Sequence, residues 1–332
     1  MQKGILFVIT SIILNVNINS QNNNYVDTNF IGIYPYDGGI YSYISNKSND
    51  LSYRNTQKNY TLYYYPNTWG YWGIGAYYKW LDLSVNLYSF GKRDESLYGI
   101  TSRIDLQSHI YLRKYIIDAF FQYYNSFYSN SYYLTNDSNK IYLRPDIKMF
   151  HSGINFLRIV KYNKFSVKSA FSQSEIQKKS VGTWIWGAKF NIFGISADSV
   201  FSSSILHSIF PKDYRLISFN STQIGIKGGY MYNYKRKYWT FNITVILGLS
   251  NQFQQKVLAS NIDKNYVHVT TDVTVNVRLA ASYSKNRYYL IISGINDNCQ
   301  YSLNNFIKLN HIFGRVDIIF GYRLFNKKNI KN

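Results

Sequence analysis

Residues 267–281 read Val-His-Val-Thr-Thr-Asp-Val-Thr-Val-Asn-Val-Arg-Leu-Ala-Ala, and they alternate. One face carries Val267, Val269, Thr271, Val273, Val275, Val277, Leu279 and Ala281. The other carries His268, Thr270, Asp272, Thr274, Asn276, Arg278 and Ala280. A period of two puts successive side chains on opposite faces of a strand, so this stretch has one greasy side and one wet side. It exceeds the ~5–6 residues of an ordinary globular strand and passes the ~9–11 that a tilted strand needs to cross a bilayer.

The same pattern recurs on both sides of it. Phe241, Ile243, Val245, Leu247 and Leu249 oppose Asn242, Thr244, Ile246, Gly248 and Ser250. Trp184, Trp186, Ala188, Phe190 and Ile192 oppose Thr183, Gly187, Lys189 and Asn191. Further back, Ile104, Leu106, Ile110 and Leu112 oppose Arg103, Asp105, Gln107, His109 and Arg113. Polar stretches at 91–99, 129–140, 203–215 and 254–265 read as long loops. Tight reversals near Lys114, 162–164, 234–237 and 284–286 fall between them. Long and short connections in alternation are the habit of transmembrane barrels, not of sandwiches. The expectation is an all-β, antiparallel, up-and-down transmembrane β-barrel of about fourteen strands, twelve and sixteen being its neighbours, over 57–325. Residues 21–56 are either a periplasmic lead-in or an extra strand pair, 305–325 is the last strand, and 326–332 is a short tail.

Composition agrees with this and excludes other classes. The 332 residues include 35 Tyr, 21 Phe and only 4 Pro, too aromatic for a disordered chain and too proline-poor to break many ladders. Mean hydropathy is -0.26, a middle value that fits walls with one apolar and one polar face. Tyr63, Tyr64, Tyr65, Trp69, Trp72, Tyr77, Tyr78 and Trp80 cluster near strand ends, where rings suit a membrane interface. Lys3 followed by an apolar stretch over 4–14 and a polar region reads as a secretory signal over 1–20, with cleavage between Ser20 and Gln21. That implies export and an outer-membrane location. Cys299 is the single cysteine and cannot form an internal disulfide. The net charge of +20 invites a nucleic-acid reading, but the lysines are scattered rather than striped. No nucleic acid is expected; attraction to anionic lipid headgroups is a weaker reading of the same surplus.

Several strings in the middle of the chain carry a resemblance. They are Tyr65-Pro66-Asn67, Gly73-Ile74-Gly75, Tyr78-Lys79-Trp80-Leu81, the run 105–114 from Asp105 to Lys114, and the aromatic strand 118–124. Leu143-Arg144-Pro145-Asp146, Ala170-Phe171-Ser172-Gln173, the run 177–182 from Gln177 to Gly182, and Ala197-Asp198-Ser199 complete them. In this order they resemble a family of uncharacterised Bacteroidetes outer-membrane β-barrel proteins defined by domain of unknown function 4421. The resemblance spans about 60–251 and departs from the family pattern at Asp82 and Val181. It implies a location and a fold, and supplies no catalytic mechanism.

The richest polar constellation is Arg103, Asp105, His109, Arg113, Arg144, Asp146, Lys178, Lys179, Lys189, Lys227, Asp272 and Arg278, with Glu175 among them. If the opposite faces touch lipid, these side chains line the lumen, where isolated charge is expensive and must pair or stay hydrated. The leading expectation is a network that fills and braces a non-enzymatic barrel serving envelope structure, surface presentation or a partner complex. A lining that passes small or anionic solutes is the alternative. A lipid-modifying enzyme is a second alternative, for which His109 with Asp105 on the same strand face offers an oriented imidazole. No Gly-x-Ser-x-Gly elbow, metal-spaced His pair or phosphate loop supports chemistry. No cofactor, metal or catalytic residue is expected. The expected partners are outer-membrane lipid and an envelope or secretion-complex protein. Pro145 is expected to mark where a strand begins after the loop at 129–140.

Overall fold

The alternating stretches all become strands. The computed structural model describes residues 12–14, 26–68, 70–78, 81–91, 93–130, 141–202, 209–210, 215–258 and 267–326. Its early strands are β1 (Ile12–Leu14), β2 (Ile31–Ile33), β3 (Tyr36–Asn55), β4 (Tyr60–Tyr64), β5 (Gly70–Tyr78), β6 (Leu81–Phe90), β7 (Ser102–Tyr111) and β8 (Tyr115–Ser129). There follow β9 (Tyr142–Ile159), β10 (Glu175–Gln177), β11 (Val181–Ser196), β12 (Leu216–Arg236), β13 (Trp239–Leu258), β14 (Val267–Lys285), β15 (Tyr288–Ser302) and β16 (Ile307–Asn326). Among the described residues two single-turn helices, α1 (Glu95–Tyr98) and α2 (Lys168–Phe171), interrupt them. Trp69, Trp80, His207 and most of the expected loops lie outside the described residues.

Fourteen strands form one antiparallel sheet in the order β1-β6-β5-β3-β16-β15-β14-β13-β12-β11-β9-β8-β7, with β4 on β3. The first long strand pairs with the last, Tyr36 facing Asn326 and Asn55 facing Ile307, so the two edges of the curled sheet fall at β6 and β7 rather than at the chain ends. β4 and β5 share one edge of β3 and act as a single stave. Counting them once, and leaving out the three-residue β1, the fourteen strands make twelve staves, an even number as such barrels require. β1 lies on the free edge of β6, with Leu14 opposite Leu81. A bridge from Tyr65 to Tyr128 joins the two sides of the wall above it. Within the segment 21–56, β2 pairs with β10, and Tyr36–Asn55 is a full stave. The wall therefore begins before residue 57.

One end carries the short turns and the other the long loops. Next to the turn end the staves are inside out. Val273 and Leu247 keep 59% and 56% of their surface exposed, while Arg278, between the same neighbours, keeps 1%. Trp184, Ile226, Ile243, Leu279 and Val316 are exposed like Val273, and Asn242, Asp118 and Lys227 are buried. A soluble surface does not tolerate such a continuous apolar belt, whereas a hydrocarbon solvent demands it.

Toward the loops the same staves change phase. Along β16 the inward set runs Asp317, Arg315, then Phe313, Leu309 and Ile307, while the outward set runs Ile318, Val316, then Asn310 and Lys308. Along β3 the inward residues pass from Ser45, Lys47 and Asn49 to Leu51 and Tyr53. The loop half thus has an apolar core, while Phe253, Val269 and Leu143 stay exposed on its outer face. The staves also outrun a bilayer. The 20 residues of β13, at ~3.4 Å each and tilted ~40°, rise about 50 Å, twice the ~25 Å apolar band of a membrane barrel.

Candidate functional site: the filled bore

The bore is occupied in three layers. At the turn end, the connection between β9 and β11 was expected to be a tight reversal at 162–164. A turn does form there, Lys164 N donating to Lys161 O at 3.0 Å, but the chain then folds up into the barrel before β11 begins. α2 and β10 belong to this inward fold. Phe165, Val167, Ala170 and Phe171 pack against Leu157, Met231, Ile246 and Ala280 of the wall. Gln177 is the keystone, its Oε1 accepting from Ser166 N at 2.9 Å and its Nε2 donating to Lys164 O at 2.8 Å. Asn233 Nδ2 and Ser282 Oγ donate from the wall to Ser166 O and Ser169 O at 2.9 and 3.1 Å. Glu175 accepts from Ser166 Oγ at 2.6 Å, pairs with Arg113, and lies 4.0 Å from Lys168. Burial pushes the Lys168 ammonium below the ordinary lysine value against the upward pull of Glu175, and Arg113 adds to the lowering. Arg323, beneath the fold, donates to Gln173 O at 2.9 Å and stacks 3.6 Å from the Tyr34 ring centroid.

Lys178 and Lys179, expected in the lumen, are exposed at this end instead. Lys178 Nζ donates to Thr28 O at 2.8 Å and Lys179 lies over the Phe30 ring. The inward fold, not a stave, carries them, so strand parity does not apply to them.

The middle layer is the charged one. Asp118 is its hub. Arg278 forks onto it with Nη2–Oδ2 at 2.5 Å and Nη1–Oδ1 at 3.3 Å, and His109 Nδ1 stands 2.7 Å from Oδ1. His109 therefore pairs with Asp118, not with Asp105, the partner that the enzymatic alternative offered it. Four residues along one strand span about 13 Å, whereas directly opposed residues on neighbouring strands lie about 5 Å apart. Asp105 instead takes Lys47 at 3.3 Å and the Tyr124 hydroxyl at 2.6 Å. Arg103 lies over the Tyr71 ring at 4.9 Å, Arg315 pairs with Asp317 at 2.7 Å, and Asp297 accepts from Asn276. Lys189 Nζ donates to Gln223 at 3.1 Å, and Asp272 accepts from Ser302 Oγ at 3.0 Å. Lys227 is buried with Gly187 and Gly248 in register on its two neighbours, which gives its side chain room.

The loop-end layer is apolar and aromatic. Phe193 stacks on Tyr301 at 4.6 Å and Tyr53 on Phe210 at 4.9 Å. Arg144 and Asp146 belong to this layer. Arg144 grips Asp146 in two bonds of 2.8 Å and donates to the carbonyls of Ser199, Val200 and Phe201, tying the segment after β11 across the top. Pro145 sits in a bulge, where the β8–β9 register shifts between Asn125 and Phe127 and Ser126 adopts φ 77°.

A cavity of about 10 Å³ remains beside His109, Asp118, Asn155, Asp297 and Arg315, room for about one water. No hydroxyl or thiol side chain stands in its lining, and the His109–Asp118 pair borders it. His311 stacks on Phe313, and His151 meets both rings edge-on. Sequence reasoning missed Asp118, Lys47, Tyr124 and Gln177. The first was findable: folding the chain at the reversal near Lys114 sets residue 118 opposite 109.

Likeness to solved structures is confined to the fold. Outer membrane protease OmpT from Escherichia coli aligns at TM-score 0.37 and 9% identity, over 88% of this chain and 98% of that one. A Pseudomonas aeruginosa FadL homologue aligns at 0.25 and 6%, over 88% and 91%. The P. putida toluene transporter TodX aligns at 0.18 and 6%, over 87% and 90%. No curated protein matches in sequence. The family model described as "Domain of unknown function (DUF4421)" matches residues 25–324. Some of the strings behind the resemblance fall at the bridge, the inward fold and the Arg144 contacts, at Tyr65, Gln173, Gln177, Arg144 and Ser199, and the others on β5 to β8. With nearly its whole length matched, the chain belongs to the family of this domain of unknown function, DUF4421.

Proposed function

We propose that this protein is exported through its N-terminal signal to the outer membrane and serves there as a sealed, non-enzymatic anchor. Its loop half projects from the bilayer to present the loops to a partner or to the surroundings. The observation that carries this reading is the filling of the bore at three levels, each with its own fastening. A passive pore needs a hydrated path. The inward fold, the ion-pair layer and the aromatic core each oppose one. An apolar core in the loop half also has a simple use in this reading, because it stiffens a water-exposed extension that no lipid supports. Envelope or secretion-complex proteins meeting the loop end are the macromolecular partners it admits.

The test combines heat-shifted gel mobility with planar-bilayer recording on protein purified in detergent. A heat-modifiable band without conductance is expected. Stable single-channel steps, with anion preference or without, would replace the anchor reading with the pore.

A further inference from the structure

We propose that the turn end carries a cationic collar that binds the phosphate headgroups of anionic phospholipids in the leaflet around it. The proposal rests on the membrane-spanning reading above and adds a ligand to it. Its basis is where the cations stand. Arg158 continues the outward parity of Ile154 and Phe156, Arg236 that of Tyr232 and Tyr234, and Lys285 that of Leu279 and Tyr283. Each lies just past the apolar belt on its outer face. The axial mouth does not hold them.

Aromatic rings accompany these cations at the same level. Arg158 lies 5.8 Å over Trp186, Lys285 5.5 Å over Tyr238, Arg287 5.1 Å over Tyr36 and Lys114 5.0 Å over Tyr162. Arg236 is in register with Trp239. Rings at this depth mark the headgroup boundary, and long basic side chains beside them extend their stems along apolar surface and their charge into the phosphate zone. Among the described residues Arg158, Arg236 and Lys285 enter no salt bridge.

Charge asymmetry supports the same ligand. On the outside of the turn end the acids with described side chains are Asp27 and Asp37, and Asp27 already faces Lys164 at 3.9 Å. The described loop end interleaves Asp94, Glu95 and Asp198 with its cations. An acidic protein is the competing occupant. It would be met best by charge across the mouth, whereas these groups ring the belt and face sideways into lipid.

The experiment uses the full chain. Protein in mild detergent is offered equimolar phosphatidylglycerol and phosphatidylcholine, and retained lipid is counted by native mass spectrometry. Wild type should prefer phosphatidylglycerol. The variant Arg158→Gln, Arg236→Gln, Lys285→Gln should lose at least about fivefold of that preference, the effect of a single surface cation, while keeping its heat-modifiable fold. The loop-end variant Lys148→Gln should keep it. An unchanged preference in the triple variant, or none in wild type, overturns the collar. So does binding of polyglutamate to wild type without any lipid preference, which would assign the face to an acidic polypeptide. Flotation with zwitterionic vesicles separates the two readings: a chain that fails to float sinks the membrane reading and the collar with it, whereas one that floats without lipid preference sinks the collar alone.

Discussion

At Asp118 one carboxylate holds a guanidinium and an imidazole, and its side chain and that of Arg278 are almost wholly buried. Removing one member of a buried pair strands the other charge, at a cost of about 3–5 kcal/mol. Asp118→Ala should therefore lower the temperature at which the folded, fast-migrating gel band converts to the unfolded one. Asp118→Leu combined with Arg278→Met should restore much of the loss, because neither member of the pair is then left as a stranded charge. If the double variant is no better than the single, the ion pair is not the source of the loss. Gly187 makes a second, purely steric point. A Cβ there would stand 1.8 Å from the carbonyl oxygen of Phe156, which is backbone and cannot swing aside. Gly187→Ala should destabilise the barrel by roughly 1–3 kcal/mol, as overpacking does, whereas Gly294→Ala, with open space around it, should leave the same transition in place. Parity alone identified Arg278, Asp105 and His109 as inward-facing. It could not say who pairs with whom, since that depends on register between strands, and register needs the turn placed to the residue.

The elements divide by how local their causes are. Staves such as Val267–Lys285 and Trp239–Leu258 were legible because alternation is a property of each strand by itself. The inward fold was not. Residues 161–180 begin with a turn like any hairpin, and only the wall partners Asn233 and Ser282, distant in sequence, show that they enter the bore. Their fastening gives a third prediction. Gln177→Ala removes the acceptor for Ser166 N and the donor to Lys164 O and Phe30 O, so trypsin should cut after Lys168 in the variant while sparing that bond in wild type. Equal resistance in both would mean that the apolar side chains alone seat the fold. The phase change along the staves was hidden for a different reason. An outward Val316 and an inward Leu309 both obey a period of two, and the exchange of faces between them costs a single out-of-step residue that reads as noise in one strand.

For the molecule as a whole, the inverted and ordinary halves make a barrel in which neither face of the membrane half meets bulk water: one face meets lipid and the other meets the packed bore. That arrangement separates it from a channel by accessibility rather than by conductance. In a Cys299→Ser background, which removes the native buried thiol, single cysteines at Val273 and Val275 test the outside and at Asp272 and Asn276 the inside. An open channel would let a charged, membrane-impermeant maleimide reach Asp272→Cys and Asn276→Cys. The filled bore should refuse it at all four positions in vesicles, because Asp272 and Asn276 keep only 7% and 2% of their surface. A lipid-soluble maleimide should instead label Val273→Cys and Val275→Cys, the pair turned to the hydrocarbon. After heat denaturation in detergent all four should react alike, which shows that each thiol is present. Reaction of Asn276→Cys with the charged reagent in folded protein would mean that water threads the ion-pair layer, and the bore would then be a path.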